Sequence, residues 1–413
     1  MTDTKEVKNA RLQAGEAAGP RVLDAEGGLS EGESRAAEPV ARPTPPEARY
    51  RLKRTLAPFR ASDGSLYLVR GGSEEDFVVN DPQPRDLAVL ETLAAGFADE
   101  AALARACAER GIDPAGIGEA VAGLERMGLL DRQRPDGPAA GEWARYDRQL
   151  IYFADLAPPG VAAEEFQAKL AAARVAIVGC GGLGSWVACG LTCAGVGELT
   201  LIDYDRVEES NLNRQLLFDE ADIGEPKVEA ARRALLAHNS RVRVRTIEGR
   251  VRGPEDLRET VESVDLLVAA ADWPPFELPR WINRACLRAG TPYIAAGQFL
   301  PLSRIGPTVL PGRTACLECE ERQIRREFPL YDELAELRTA NPGDAATIGA
   351  GGGLVGSMLA MEAIHLLSGA IEPTTVGCAL ILDIRTMSLS REETTADPGC
   401  PACREARRAK WPL

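Results

Sequence analysis

The chain reads Arg174-Val175-Ala176-Ile177-Val178-Gly179-Cys180-Gly181-Gly182-Leu183-Gly184 at residues 174–184. A short apolar run rich in Val and Ile is typical of a buried strand, and a helix is predicted to follow over residues 183–194. The glycines between them match the pattern G-x-G-x-x-G. A second strand, predicted at 199–202, is followed directly by Asp203, so this stretch forms a βαβ unit.

The alternation of strands and helices continues beyond this unit. Further strands are predicted near 242–247, 266–270 and 293–296, and further helices at 227–238 and 279–289. Strands that alternate with helices favour a parallel sheet covered on both faces. The fold class is therefore α/β, with a doubly wound, mostly parallel Rossmann-like sheet.

The residues before this region have a different pattern. Short strands at 50–52, 66–69 and 77–79 predict a three-strand meander, and helices are predicted at 85–95, 99–110 and 114–127. Together they predict a small winged-helix-like α+β domain. The predicted organisation is a disordered tail at 1–45, this domain at 46–131, a linker at 132–142 and the nucleotide-binding domain at 143–413.

Charge and composition exclude several function classes. The 413 residues include 48 basic and 62 acidic ones, a net charge of −14, which disfavours nucleic acid and anionic membranes as partners. The most apolar stretch, 348–367, carries Glu362 and His365 and is predicted to be a buried helix instead of a membrane span. Without an export signal in the first residues, a cytoplasmic protein with reduced cysteines is expected.

The residues after the glycine loop distinguish between two kinds of nucleotide-dependent reaction. Backbone amides at a helix N-terminus bind phosphate oxygens, and an acid at the Asp203 position accepts hydrogen bonds from ribose. Arg214 and Lys227 follow, and Asp272 comes just after a later strand. A dehydrogenase never cleaves its pyrophosphate, whereas substitution at a triphosphate calls for cations and a carboxylate-held Mg²⁺. The pattern favours ATP chemistry over a nicotinamide dehydrogenase.

An ordered set of motifs over residues 145–403 resembles the ThiF, MoeB and HesA type of ATP-dependent adenylyltransferases, relatives of the ubiquitin-activating enzymes. The motifs are Arg145-Tyr146-Asp147-Arg148-Gln149, residues 179–184, Leu201-Ile202-Asp203-Tyr204-Asp205, Asn211-Leu212-Asn213-Arg214-Gln215, Gly224-Glu225-Pro226-Lys227-Val228, Ala271-Asp272, Gly356-Ser357 and Ala360-Met361-Glu362-Ala363-Ile364.

This resemblance implies specific roles for the residues that match. Asp272 would hold Mg²⁺, and Arg148 would reach into the site of a neighbouring protomer, so a homodimer is implied. The predicted catalytic residues are Arg148, Arg214, Lys227 and Asp272. The predicted ATP-binding residues are Gly179, Gly181, Gly182, Gly184, Asp203, Asn211, Arg214, Gln215 and Lys227.

Two Cys-x-x-Cys pairs stand far apart in the sequence, Cys316 with Cys319 and Cys400 with Cys403. Brought together, four thiolates form a closed tetrahedral Zn²⁺ site, which is structural because no coordination position stays open. Two disulfides are the alternative, disfavoured in a reducing compartment.

The segment between Cys319 and Gly349 contains no cysteine, and Pro342 stands about where thioester-forming activating enzymes carry theirs. The resemblance therefore implies adenylation without a thioester relay.

The substrate class depends on the first domain. Residues 46–131 have ten basic and fifteen acidic residues, which disfavours nucleic acid. A sheet edge beside a helix instead suits an extended peptide, and the pattern resembles the leader-peptide recognition elements of ribosomal peptide pathways. The main hypothesis is adenylation of a carboxylate on such a peptide. Two alternatives remain: activation of a ubiquitin-like sulfur-carrier protein, and a non-catalytic docking partner.

Overall fold

The structure is a computed structural model that describes residues 21–23, 50–70, 77–79, 82–132, 143–299, 301–341 and 346–406. The chain divides into two compact units, Met1–Glu165 and Phe166–Leu413. In the part of the chain that the structure describes, the units share no sheet, and each has its own buried apolar cluster.

The described residues of the first unit form short strands and helices. Its strands are β1 (Arg21–Leu23), β2 (Tyr50–Leu52), β3 (Leu56–Arg60), β4 (Leu66–Arg70), β5 (Phe77–Val79) and β6 (Leu130–Arg132). Its helices are α1 (Pro84–Ala95), α2 (Glu100–Glu109), α3 (Ile117–Arg126) and α4 (Asp147–Leu156). As expected for a helix start, the Asp99 carboxylate accepts a hydrogen bond from the Ala102 amide at 2.7 Å.

The predicted meander is present with a different first strand. β3, β4 and β5 pair in antiparallel order, whereas β2 pairs with β6 in a separate two-stranded sheet. The prediction that residues 50–52 begin the meander is therefore wrong. The Asp63-Gly64 turn lies between β3 and β4, where Gly64 has φ +93° and the Asp63 carboxylate accepts from the Ser65 amide.

Two further differences concern the boundaries. Residues 1–45 were expected to lack structure, yet β1 pairs in parallel with β5. The expected linker, apart from Arg132, lies outside the described residues, and the division falls after Glu165. The division falls later than the predicted linker because α4 is hydrogen-bonded to the turn after β2. The Asp147 carboxylate accepts from the Arg54 guanidinium, and the Asp155 carboxylate accepts from the Thr55 hydroxyl at 2.7 Å. The likeness to winged-helix domains stays a prediction.

The second unit is built on an eight-stranded sheet of order β14-β13-β12-β11-β10-β7-β8-β9. Its strands are β7 (Arg174–Val178), β8 (Glu198–Asp203), β9 (Arg243–Glu248), β10 (Leu266–Ala269), β11 (Tyr293–Phe299), β12 (Leu302–Val309), β13 (Cys378–Asp383) and β14 (Ser388–Glu393). Strands β9, β8, β7, β10 and β11 are mutually parallel. Strands β12, β13 and β14 extend the sheet from β11 in antiparallel order. The mostly parallel α/β sheet is confirmed.

The helices of this part are α5 (Ala163–Ala172), which crosses the division, α6 (Gly182–Ala194), α7 (Lys227–His238), α8 (Arg258–Ser263), α9 (Glu277–Ala289), α10 (Leu317–Glu327), α11 (Tyr331–Ala340), α12 (Gly349–Ser368) and α13 (Pro401–Ala406). The chain runs from β7 outward through β8 to β9, then returns to β10 on the other side of β7. This reversal opens a crevice at the carboxyl ends of β7 and β10, the usual ligand position in such sheets.

Helix α12 is long and apolar enough to cross a membrane, but half of its most apolar 18-residue stretch is buried in the protein. It packs against α6 through small residues. A Cβ on Gly356 would lie 2.5 Å from the Cβ of Trp186, and one on Gly190 would lie 2.8 Å from the Cβ of Ala360. The two helix backbones approach closely because glycines stand at these contacts.

Candidate active site

The glycine loop joins the end of β7 to the start of α6. Gly179 has φ +98°, and a Cβ there would lie 2.8 Å from the backbone nitrogen of Ala271. The loop therefore touches the two residues that follow the end of β10, inside the crevice. Since α6 begins at Gly182, its first backbone amides point into this space.

Asp203 ends β8 and supports the loop. One carboxylate oxygen accepts a hydrogen bond from the Cys180 amide at 2.6 Å, and the other accepts from the Asp205 amide at 2.9 Å. The side chain is half-buried, and a carboxylate has further lone pairs with which to accept from a ribose hydroxyl. Burial raises the pKa of the Cys180 thiol well above its usual value, with Asp203 adding to the effect, so this loop cysteine stays protonated.

The segment after Asp203 lies against the loop. The Arg214 side chain passes 3.8 Å from the Cβ position of Gly182, and its guanidinium donates to the Ser210 carbonyl at 2.6 Å and to the Asn213 side chain at 3.0 Å. The Asn211 side chain accepts from the Glu208 amide at 3.1 Å. These bonds close the local turn and direct Arg214 along the first turn of α6.

Gln215 is a buried polar side chain of this segment. It is 4% exposed, and its nitrogen lies 3.9 Å from the Cβ position of Gly181. Within the described residues its side-chain oxygen accepts no hydrogen bond. Because a buried acceptor without a partner is costly, this oxygen is suited to a donor on a bound ligand or to an ordered water.

Lys227 is the first residue of α7, and its side chain is 7% exposed. Its ammonium group lies 3.0 Å from the Asp205 carboxylate, and its backbone amide donates to the Asp205 carbonyl at 2.9 Å. Lys227 also opposes the rise in the Cys180 pKa, so its charge acts on the glycine loop. The lysine therefore offers a positive charge at the crevice with little freedom to move.

Asp272 is exposed and follows Ala271, the residue in contact with Gly179. The structure thus brings Asp272 to the same edge as Asp203 and Asp205. The neighbouring Tyr204 hydroxyl has its pKa raised, first by burial and then by these three carboxylates. Clustered acids at the carboxyl edge, with one exposed, suit a Mg²⁺ ion that also binds phosphate oxygens.

Sequence reasoning missed one contact at this edge. The Arg250 guanidinium lies over the Tyr204 ring, 4.8 Å from its centre. Arg250 follows the end of β9, the strand next to β8. Since carboxyl ends of parallel strands meet at one edge, this position was available from the strand pattern alone.

Arg148 is exposed on α4, within the first unit, and the other predicted site residues belong to the second. Its role across a dimer stays a prediction.

Pro342 lies outside the described residues. Helix α11 precedes Pro342 in the sequence and helix α12 follows it, and neither helix contains a cysteine.

The four cysteines of the two Cys-x-x-Cys pairs come together. Their sulfurs all lie within 4.8 Å of one another, with Cys316 at 3.9 Å from Cys319, and Cys319 at 3.5 Å from Cys403. Zn–S bonds of about 2.3 Å in a tetrahedron place sulfurs about 3.8 Å apart, so the set fits Zn²⁺. Hydrogen bonds from the neighbouring thiols lower the pKa of Cys319, and the Asp397 amide also donates to its sulfur.

The sequence profile of the ThiF family matches residues 146–402, more than half of the chain. This chain belongs to the ThiF family.

Two curated relatives illustrate the match. The molybdopterin-synthase adenylyltransferase of Escherichia coli (strain K12) is 31% identical over 264 residues, which are 63% of this chain and 96% of that protein. The sulfur carrier protein adenylyltransferase of Thermus thermophilus is 32% identical over 266 residues, 63% of this chain and 91% of that protein. The ThiF-family chain is an ATP-dependent adenylyltransferase, so neither the dehydrogenase nor the non-catalytic interpretation holds.

Solved structures match more of the chain. E. coli MccB, solved with ATP, is 26% identical with a TM-score of 0.65, over 86% of this chain and 99% of that chain. PaaA is 25% identical with a TM-score of 0.66, over 83% of this chain and 99% of that chain. MccB is also solved with MccA-N7isoASN and, described as the Microcin C7 biosynthetic enzyme, with N-formylated MccA.

Proposed function

We propose that this adenylyltransferase activates a carboxylate of a ribosomally made peptide, which its first unit recognises. The proposal rests on the share of this chain that aligns with each kind of enzyme. The molybdopterin and sulfur-carrier enzymes align with 63% of the chain, whereas MccB aligns with 86%. The additional length is shared with MccB, a Microcin C7 biosynthetic enzyme solved with MccA, and the two adenylyltransferases that align with 63% of the chain do not share it.

The proposed reaction is a substitution at the α-phosphorus of ATP. A carboxylate oxygen of the peptide forms a bond to the α-phosphorus. The bond between the α-phosphorus and the oxygen that bridges it to the β-phosphorus breaks, and pyrophosphate leaves with this bridging oxygen. Arg214 and Lys227 lie beside the glycine loop, where they neutralise charge on the phosphates. Asp272 would hold Mg²⁺, which neutralises charge on the leaving pyrophosphate.

The second step needs no cysteine relay. The segment between Cys319 and Gly349 has none, and Cys180 in the loop is buried with a raised pKa. A thiol of this kind is a poor nucleophile. An amine or backbone amide would instead attack the acyl adenylate and release AMP.

Exchange of labelled pyrophosphate into ATP tests the proposal, because adenylate formation is reversible. The assay uses the full chain and, as substrate, synthetic peptides translated from the short reading frames that adjoin its gene. Lys227→Ala and Asp272→Ala are expected to lower the exchange rate by about 10²-fold or more, since each removes charge that faces the phosphates. Arg232→Ala is the matched control, because Arg232 lies on the same helix as Lys227 and its side chain is half-exposed. Wild-type exchange by both variants would contradict the site.

A second candidate function is activation of a ubiquitin-like sulfur-carrier protein at its C-terminal glycine. It is favoured by the names of the relatives that align with 63% of the chain. The same exchange assay, run with a carrier protein in place of the peptide, separates the two. Exchange with the carrier alone would replace the peptide proposal.

A further inference from the structure

Strand β5 lies between two other strands of the first unit. It pairs with β4 in antiparallel order on one side and with β1 in parallel order on the other. The register of the second pair is Arg21 with Phe77, Val22 with Val78 and Leu23 with Val79. Since the sheet order is β1-β5-β4-β3, β5 would be the outermost strand without β1.

The covered edge is anchored in the core. Phe77 is 5% exposed and belongs to the apolar cluster of the first unit, and Val79 packs against it. A fixed edge strand offers a row of backbone N–H and C=O groups to any extended segment. This edge has already accepted one such segment, from the same chain.

We infer that Arg21–Leu23 is an internal competitor that occupies the edge of β5 and must leave before a substrate peptide adds there. The inference rests on the proposed function, in which the first unit recognises an extended peptide. β1 is three residues long and joins β2 through residues 24–49. A peptide whose side chains also find partners beside this edge displaces β1, whereas a poorly matched peptide does not.

Competition with β1 raises the apparent Kd of an added peptide by an amount that follows from how often β1 occupies the edge. A tethered segment has an effective concentration on the order of millimolar, so even a weak strand fills the edge most of the time. When the edge is free in about one molecule in ten, the apparent Kd of an added peptide is raised about tenfold. Releasing β1 recovers this factor.

The test uses the full chain with the double substitution Val22→Pro/Leu23→Pro. Neighbouring residues of a strand direct their N–H groups to opposite sides, so one of the two prolines removes a donor to β5. Ala36→Pro, within residues 24–49 and outside the strand, is the matched control. The probe is a fluorescent synthetic peptide with the sequence of residues 17–27, titrated by anisotropy.

We expect the double variant to bind this probe about tenfold more tightly than the wild type and the Ala36→Pro control. Hydrogen exchange supplies a second measurement: amides of Phe77–Val79 that face β1 should lose protection in the double variant and regain it when the probe saturates. Equal probe affinity in all three proteins overturns the inference, and so does lost protection without tighter binding. Neither measurement involves adenylation, so their failure is distinct from failure of the pyrophosphate exchange.

Discussion

At the scale of single residues, the glycine loop shows two different reasons for glycine. A Cβ on Gly184 would lie 1.8 Å from the Gly179 carbonyl oxygen, closer than any real contact. A Cβ on Gly181 would meet nothing nearer than the Gln215 side-chain nitrogen at 3.9 Å. Gly184 is therefore required by packing, whereas Gly181 has room for a methyl group and is suited to close approach by a ligand.

This difference predicts the effect of two matched substitutions on stability. Gly184→Ala forces the loop and α6 apart and should lower the free energy of unfolding by about 2 kcal/mol or more, the cost of overpacking. Gly181→Ala should change it by less than about 1 kcal/mol. Urea unfolding followed by circular dichroism measures both values. Equal destabilisation by the two variants would mean that the loop relaxes around an added methyl group.

At the scale of elements, the cysteine cluster joins segments that are far apart in sequence. Cys316 and Cys319 flank the start of α10, and Cys403 lies in α13 with Cys400 just before it. α13 also packs on α9 through the apolar cluster that contains Ala402. A metal at the four sulfurs therefore ties the end of the described chain to the sheet domain.

We predict one tightly bound Zn²⁺ per chain, measured by elemental analysis of freshly reduced protein. Cys403→Ser should lose the metal and lower the Tm by about 10 °C, the shift that roughly 3 kcal/mol produces in a domain of this size. Cys193→Ser, at an exposed cysteine on α6, should change neither value. Below its transition the Cys403→Ser variant should still exchange pyrophosphate, because none of the four cysteines is among the residues predicted to bind ATP. Zinc-free wild-type protein would refute the assignment.

At the scale of the whole molecule, the resemblance to ThiF-type enzymes implies a homodimer in which Arg148 would reach the neighbouring protomer's site. An arginine supplied in trans acts only in an assembled dimer. Arg148→Ala and Lys227→Ala homodimers are therefore both expected to be nearly inactive. A mixed dimer has one site with both residues intact.

Mixing the two variants in equal amounts should restore about one quarter of wild-type pyrophosphate exchange, because half of the dimers are mixed and each has one good site. Subunit exchange is checked separately with differently tagged chains. An inactive mixture after confirmed exchange would show that Arg148 does not act in trans. Full activity of a monomer would remove the basis of the prediction.

The sequence by itself determined the features that depend on neighbouring residues. A run of apolar β-branched residues followed by glycines specifies a strand, a tight loop and a helix start, and β7 and α6 lie there. The paired cysteines likewise predicted a four-sulfur cluster, because each Cys-x-x-Cys pair already brings two ligands together.

Only the tertiary structure decided the pairings between distant short segments. β2 pairs with β6 and not with the meander, β1 adds to β5, and α4 belongs with the first unit. A three-residue strand is too short to show a hydrophobic period, and the backbone groups that pair with it are the same in every sequence. Its partner is therefore selected by packing and loop closure, which single-residue patterns do not encode.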